Sequence, residues 1–95
     1  MPDDDPSLLA ERFGANLFLL RRRAGFSQEE LARYAALHRT EIGLLEHGRR
    51  LARVDTVVKL SGSLSVTPGE LFTGVGWAVA GATDGRFYSS TRSAR

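Results

Sequence analysis

At 95 residues, with 42% apolar and 25% charged side chains, the chain has the size and composition of one globular domain with a modest core. It contains no cysteine, which excludes disulfide scaffolds and thiolate metal centres, and no apolar run approaches the roughly 20 residues of a membrane span. The net charge is only +2, yet between Arg21 and Arg53 eight arginines stand against four acidic residues, a basic middle that favours a polyanionic partner.

The opening residues Met1 to Pro6 carry Asp3, Asp4 and Asp5. A secretory leader is basic there, so a cytoplasmic protein with a disordered acidic tail over residues 1–6 is expected. A first helix is predicted from a Ser7 cap to about Ala24, with Leu9, Phe13, Leu17, Leu20 and Ala24 at spacings of three and four along one face. Gly25 ends it. Ser27-Gln28-Glu29-Glu30 has the form of a capping box, in which hydroxyl and carboxylate reciprocally bind backbone N–H groups. The short helix it opens turns Leu31, Ala32 and Ala35 inward. After a turn at Ala36 and Leu37, a third helix starts at His38 or Arg39, buries Ile42 and Leu45, and stops by Gly48.

A basic loop (Arg49, Arg50, Leu51, Ala52, Arg53) leads to a fourth helix over about 54–64, with Val54, Val57, Leu60 and Leu64 in register. Thr67-Pro68-Gly69-Glu70 reads as a second capping box, opening a single turn that buries Leu71 and Phe72. Beyond Thr73 the chain becomes glycine-rich. Trp77–Ala80 and Arg86–Ser89 flank Thr83-Asp84-Gly85, a hairpin signal, with a frayed tail as the alternative.

Two short helices joined by a tight turn, with small Ala32 where they cross and Ile42 and Leu45 anchoring the second, satisfy the demands of a helix-turn-helix. The stretches Leu20–Ala32, Leu37–Ile42 and Leu45–Arg50, continued by Asp55–Leu60 and Val66–Phe72, resemble the Cro/lambda-repressor-type family, also called the xenobiotic-response-element family. The resemblance covers about residues 10–72. It implies an all-α, five-helix DNA-binding domain over 7–73, with residues 74–95 as a C-terminal extension.

The resemblance also implies roles for individual residues. Arg39, Thr40 and Leu44 match positions that reach base edges in the major groove, with His38 at the helix start beside a base or phosphate. Gln28, His47, Arg49 and Arg50 match positions along the DNA backbone, and Arg21 matches an arginine that pairs with Glu46. An arginine fork can bridge guanine O6 and N7, Thr40 can bond a base, and Leu44 suits a thymine methyl. Three positions depart from the family pattern: Ala36 replaces a turn glycine, His38 a serine or threonine cap, and Gly43 a small polar residue.

Other features have plainer readings. Arg22 and Arg23 suit a helix end, and Glu29 and Glu30 stabilise a helix start rather than serve catalysis. His38 and His47 have no third ligand nearby, so no metal is expected. No nucleophile–base set appears, so neither an enzyme, a cofactor nor a small-molecule site is expected. Phe18 and Leu19, however, each lie roughly 130° from the centre of the first helix's core face. Trp77, Val79, Phe87 and Tyr88 are expected to fold back over them, unless a second subunit does, or the pair is simply exposed. The expected partners are therefore double-stranded DNA and a second copy of the chain. An antitoxin-like protein with a small protein partner, or an interaction module without DNA binding, are the alternatives.

Overall fold

The structure, a computed structural model, describes residues 5–90. Four α-helices, α1 (Ser7–Ala24), α2 (Gln28–Ala35), α3 (Arg39–Glu46) and α4 (Val54–Leu64), precede a 3-10 turn (Pro68–Phe72) and a hairpin of β1 (Val75–Val79) and β2 (Gly85–Ser89). The expected fifth helix is thus this 3-10 turn, and the fold is mostly rather than wholly helical. Gly69 and the proline-bearing start leave too few residues for an α-turn to propagate.

The helix ends share one device. Gly25, Ala36, Gly48 and Ser65 all take positive φ. The amides of Phe26, Leu37, Arg49 and Val66 each bond back five residues, to the carbonyls of Arg21, Ala32, Leu44 and Ser61. These are Schellman stops, which pair otherwise orphaned carbonyls. In three of them the next residue (Phe26, Leu37, Val66) packs against the core, so each stop also aims the chain inward. Two use glycine, while Ala36 and Ser65 adopt the left-handed conformation at a steric cost.

At its start α2 carries the capping box: Glu30 N–H donates to Ser27 Oγ at 3.0 Å, and Ser27 N–H to the Glu30 carboxylate at 2.8 Å. At α1 the expected Ser7 cap is replaced. Pro6 is the capping residue, and Asp5 Oδ1 accepts from the Ser7 amide at 3.0 Å and hydroxyl at 2.8 Å. Asp5 and Pro6 therefore belong to the helix start, and the rest of the expected tail, residues 1–4, lies outside the described residues. The carboxylate reaches the first-turn donors from two residues upstream, leaving Ser7 free to be helical.

The core gathers Phe13, Leu17 and Leu20 of α1, Leu31, Ala32 and Ala35 of α2, Ile42 and Leu45 of α3, Val57, Leu60 and Leu64 of α4, and Leu71. Some assignments from spacing alone were too generous. Val54 is 82% exposed, Ala24 is exposed, Leu9 is half-buried, and Phe72 is an exposed ring resting on Phe13 at 5.3 Å between centroids. Val54 and Ala24 sit at helix ends, where no neighbouring element covers them.

Two residues that periodicity did not single out set the packing of α1. A Cβ on Gly14 would overlap the carbonyl oxygens of Leu45 and Glu46, so α1 and the end of α3 meet backbone to side-chain-less backbone. Buried Asn16 donates through Nδ2 to the carbonyls of Leu71 and Thr73, both at 3.0 Å. That bond ties the exit of the 3-10 turn to α1 and aims the following hairpin.

In the hairpin Val75 faces Ser89, Trp77 faces Phe87, and Val79 faces Gly85. It is longer than the segments predicted from sequence. The Trp77 ring lies over Gly85 and the Tyr88 ring over Gly76, where any Cβ would collide with the ring. Each glycine thus makes the slot its aromatic neighbour fills, which pins the register. β2 packs on α1, yet Phe18 and Leu19 remain 39% and 59% exposed. The expected intramolecular cover by Trp77, Val79, Phe87 and Tyr88 is therefore not made. Asn16 instead ties the chain entering the hairpin to α1.

Candidate nucleic-acid interface

The candidate recognition element is α3, the second helix of the helix-turn-helix pair, and its placement follows from its two ends. Its last residue is Glu46, a carboxylate at the unfavourable pole of the helix dipole. Arg21 answers it: Nε donates to Oε2 at 2.6 Å and Nη2 to Oε1 at 3.1 Å, a two-pronged pair. The third arm, Nη1, donates to the Phe26 carbonyl at 2.9 Å, and Gln28 Nε2 also donates to Glu46 Oε1, at 3.1 Å. The side chains of Arg21 and Glu46 are only 9% and 3% exposed. One buried cluster thereby joins α1, the α1–α2 turn, the start of α2 and the end of α3.

At the other end, Ala36 (φ 56°) and Leu37 turn the chain sharply from α2, and His38 precedes α3 in extended conformation. His38 makes no side-chain cap, so its imidazole is not spent on the helix. His38, Arg39 and Thr40 are all exposed along this edge. Further along, Thr40, Gly43, Leu44, His47 and Arg49 line one open, shallow hollow of about 290 Å³. Gly43 has open space where a side chain would stand, so the helix surface is flattened beside Leu44.

The expected site residues divide accordingly. Arg39, Thr40, Leu44, His47 and Arg49 share the outer face of α3 and its exit. Arg50 lies outside that hollow: it approaches Glu41 of α3 at 3.9 Å and, together with Arg49, lines a second hollow beside the start of α1. Gln28 is half-buried with its side-chain amide engaged on Glu46. His47 Nδ1 lies 2.8 Å from the Gly43 carbonyl. A carbonyl only accepts, so Nδ1 carries the proton, and a neutral ring presents Nε2 as an acceptor. That suits a base amino group; a phosphate, which offers no donor, would need the charged ring.

Among the described residues no helix is long and apolar enough to cross a membrane, and no three potential metal ligands cluster.

The helix-turn-helix family HTH_3 matches residues 17–71, more than half of the chain. The protein belongs to this family and is, in class, a DNA-binding transcriptional regulator. Among individual relatives, the control protein C.BamHI of Bacillus amyloliquefaciens is 39% identical over an alignment of 67 residues that covers 67% of this chain and 83% of that protein. The restriction-modification controller protein C.AhdI of Aeromonas hydrophila superposes with a TM-score of 0.69 at 37% identity, covering 72% of this chain and 99% of its own. A hypothetical transcription factor, NHTF, from Neisseria gives a TM-score of 0.65 at 30% identity, covering 76% of this chain and 80% of its own. The hairpin begins after the family match ends.

Proposed function

We propose that this protein is a sequence-specific transcriptional regulator of the restriction-modification controller kind, reading the major groove with α3 as a homodimer on two half-sites about one helical turn apart. The observation that carries the reading is the contrast between the two faces of α3. Its inner end is locked by the Arg21–Glu46–Gln28 cluster, while Arg39 and Thr40 stand exposed on its outer edge. A rigid helix with a free arginine and hydroxyl is what direct readout requires, because base-edge bonds discriminate only when the donor is held in register. In this reading Arg39 takes a guanine, Thr40 and Leu44 contact neighbouring bases, and His38 and His47 flank them. Arg49, together with the Gln28 backbone N–H, holds the phosphate backbone, and Arg50 contributes charge from the side.

Selection of bound DNA from a random pool tests the reading, since a two-fold sequence would report both the half-site and the dimer. In titrations on the selected site, Arg39→Ala is expected to lose about 5- to 150-fold discrimination at one base position, equivalent to one good bidentate pair. Arg49→Ala should weaken every sequence alike and flatten the salt dependence by about one ion. Equal loss on selected and random DNA from the Arg39 change would contradict the assignment. Footprinting on DNA upstream of neighbouring restriction-modification genes tests the controller role separately.

A further inference from the structure

We propose that β1 of one chain pairs antiparallel with β1 of a second copy, centred on Trp77, to form a four-stranded sheet across a two-fold axis. The proposal deepens the dimeric reading above by naming the surface that joins the copies. It does not depend on how α3 reads DNA.

The edge of β1 is open. Within the hairpin, Ser90 N–H donates to the Gly74 carbonyl at 2.7 Å and Ala80 N–H to the Asp84 carbonyl at 2.8 Å. Antiparallel ladders alternate, so the even-numbered residues of β1 bond to β2 and the odd-numbered ones, Val75, Trp77 and Val79, direct N–H and C=O outward. The helical body packs mainly against β2, through α1, and Val75 at the start of β1 is half-buried. Trp77 and Val79 are 45% and 77% exposed. Exposed edges are ordinarily protected by charge, proline or a bulge. Residues 75–79, Val-Gly-Trp-Ala-Val, contain none of these.

What identifies the occupant is the symmetry of this segment. A two-fold pairing centred on Trp77 sets Val75 against Val79 of the second copy, Gly76 against Ala78, and Trp77 against itself. Valine meets valine, tryptophan meets tryptophan, and the small Gly76 meets the small Ala78. The outward N–H and C=O of Val75, Trp77 and Val79 then exchange bonds across the axis, and the side chains of all three share one sheet face with Phe87. An aromatic row Phe87–Trp77–Trp77–Phe87 would cross the four strands, extending the edge-to-face contact of Trp77 and Phe87, whose centroids lie 4.9 Å apart in one chain. The charges are compatible too. The strand pair opposes no charged residues, and Arg86 sits on the outer strand, which keeps the two copies of β2 roughly 14 Å apart, beyond the Debye length of about 8–10 Å. A hairpin of two strands is marginal in water, whereas four strands with an apolar face are not.

The test uses the full chain and sedimentation equilibrium over a micromolar range. Wild type should be dimeric. V75K/V79K places lysine against lysine at both ends of the pairing and should raise the dissociation constant at least about tenfold. V75K/V79E places lysine against glutamate at the same two positions and should recover most of that loss. Within one chain residues 75 and 79 face Ser89 and Gly85, so rescue can arise only between copies. Hydrogen exchange on the wild type needs no variant: the amides of Val75, Trp77 and Val79 should lose protection on dilution to monomer, while those of Gly76 and Ala78 keep theirs. A monomer at every concentration, a dimer indifferent to the paired lysines, failure of the charge swap to rescue, or exchange at the odd-numbered amides independent of concentration would each overturn the proposal. If it is overturned, the Arg39 test on half-site DNA still stands or falls on its own.

Discussion

Arg21→Ala is the most informative single change, because it removes one side of a buried ion pair and leaves the other behind. Glu46, with a side chain 3% exposed, would retain only the Gln28 amide at 3.1 Å, and the Phe26 carbonyl would lose its guanidinium donor. Stranding a buried charge in this way costs about 3–5 kcal/mol, a large share of the roughly 5–15 kcal/mol that stabilises a domain. At about 4–8 °C per kcal/mol for a domain of this size, the melting temperature should fall by at least about 12 °C. Thermal unfolding by circular dichroism measures it. Replacing both partners with apolar residues of similar shape, Arg21→Met with Glu46→Leu, should restore much of the loss, since desolvation of the pair offsets much of its Coulomb gain. Specific DNA binding should remain weak in the double variant if the cluster also orients α3. An Arg21→Ala protein melting within about 3 °C of wild type, or single-variant costs that simply add in the double variant, would refute the argument.

Ala36→Gly should stabilise the protein by about 1 kcal/mol, because the residue already occupies a left-handed conformation at φ 56° that glycine adopts without strain; chemical denaturation would show it as a raised midpoint with unchanged slope. Gly14→Ala should do the reverse and cost upward of about 3 kcal/mol, since its Cβ would drive into the Leu45 and Glu46 carbonyls; unfolding near the wild-type midpoint would show that α1 and α3 can move apart cheaply. Asp5 has its carboxyl held below the ordinary 3.8 by the hydroxyl and amide of Ser7. A folded-state value depressed below the unfolded one contributes stability above the unfolded value and loses it as pH falls through the folded one. The start of α1 should therefore fray on acidification below 3.8, and an NMR titration of Asp5 should give a midpoint under that value, with the fraying transition absent in Asp5→Asn.

How much of this was legible in the sequence depended on whether a feature is local. The four helices, the Ser27–Glu30 capping box, the stop at Gly25 and the Asp-Gly hairpin signal all depend on neighbours within a few residues, and each could be read from residue type and spacing. The stops at Ala36 and Ser65 were less legible because neither is glycine. Their signal lies in the hydrophobe that follows, Leu37 or Val66, which gains enough burial to hold a strained residue in place. Gly14 could have been found as an unforced glycine inside an apolar helical face, where its cost in helix propensity demands a packing reason.

Placement across the chain was decided only in three dimensions. Local pattern locates Gln28, Arg49 and Arg50 on the basic side of the motif, but the tertiary fold turns Gln28 onto Glu46 and brings Arg50 towards Glu41. Spacing alone also made Phe18 and Leu19 candidates for cover by the hairpin, whereas both stay exposed and Asn16, bonded to carbonyls 55 and 57 residues away, fixes where the chain enters the hairpin. The physical reason is the same in both cases. Periodicity reports which face of a helix is apolar, an energy set by adjacent side chains. Which partner a buried polar group finds is set by bonds between residues far apart in the chain, and those exist only once the helices are packed. The sequence by itself determined a helix-turn-helix with an arginine at the head of its second helix. Only the tertiary structure decided which of its polar residues face outward and which hold that helix in place.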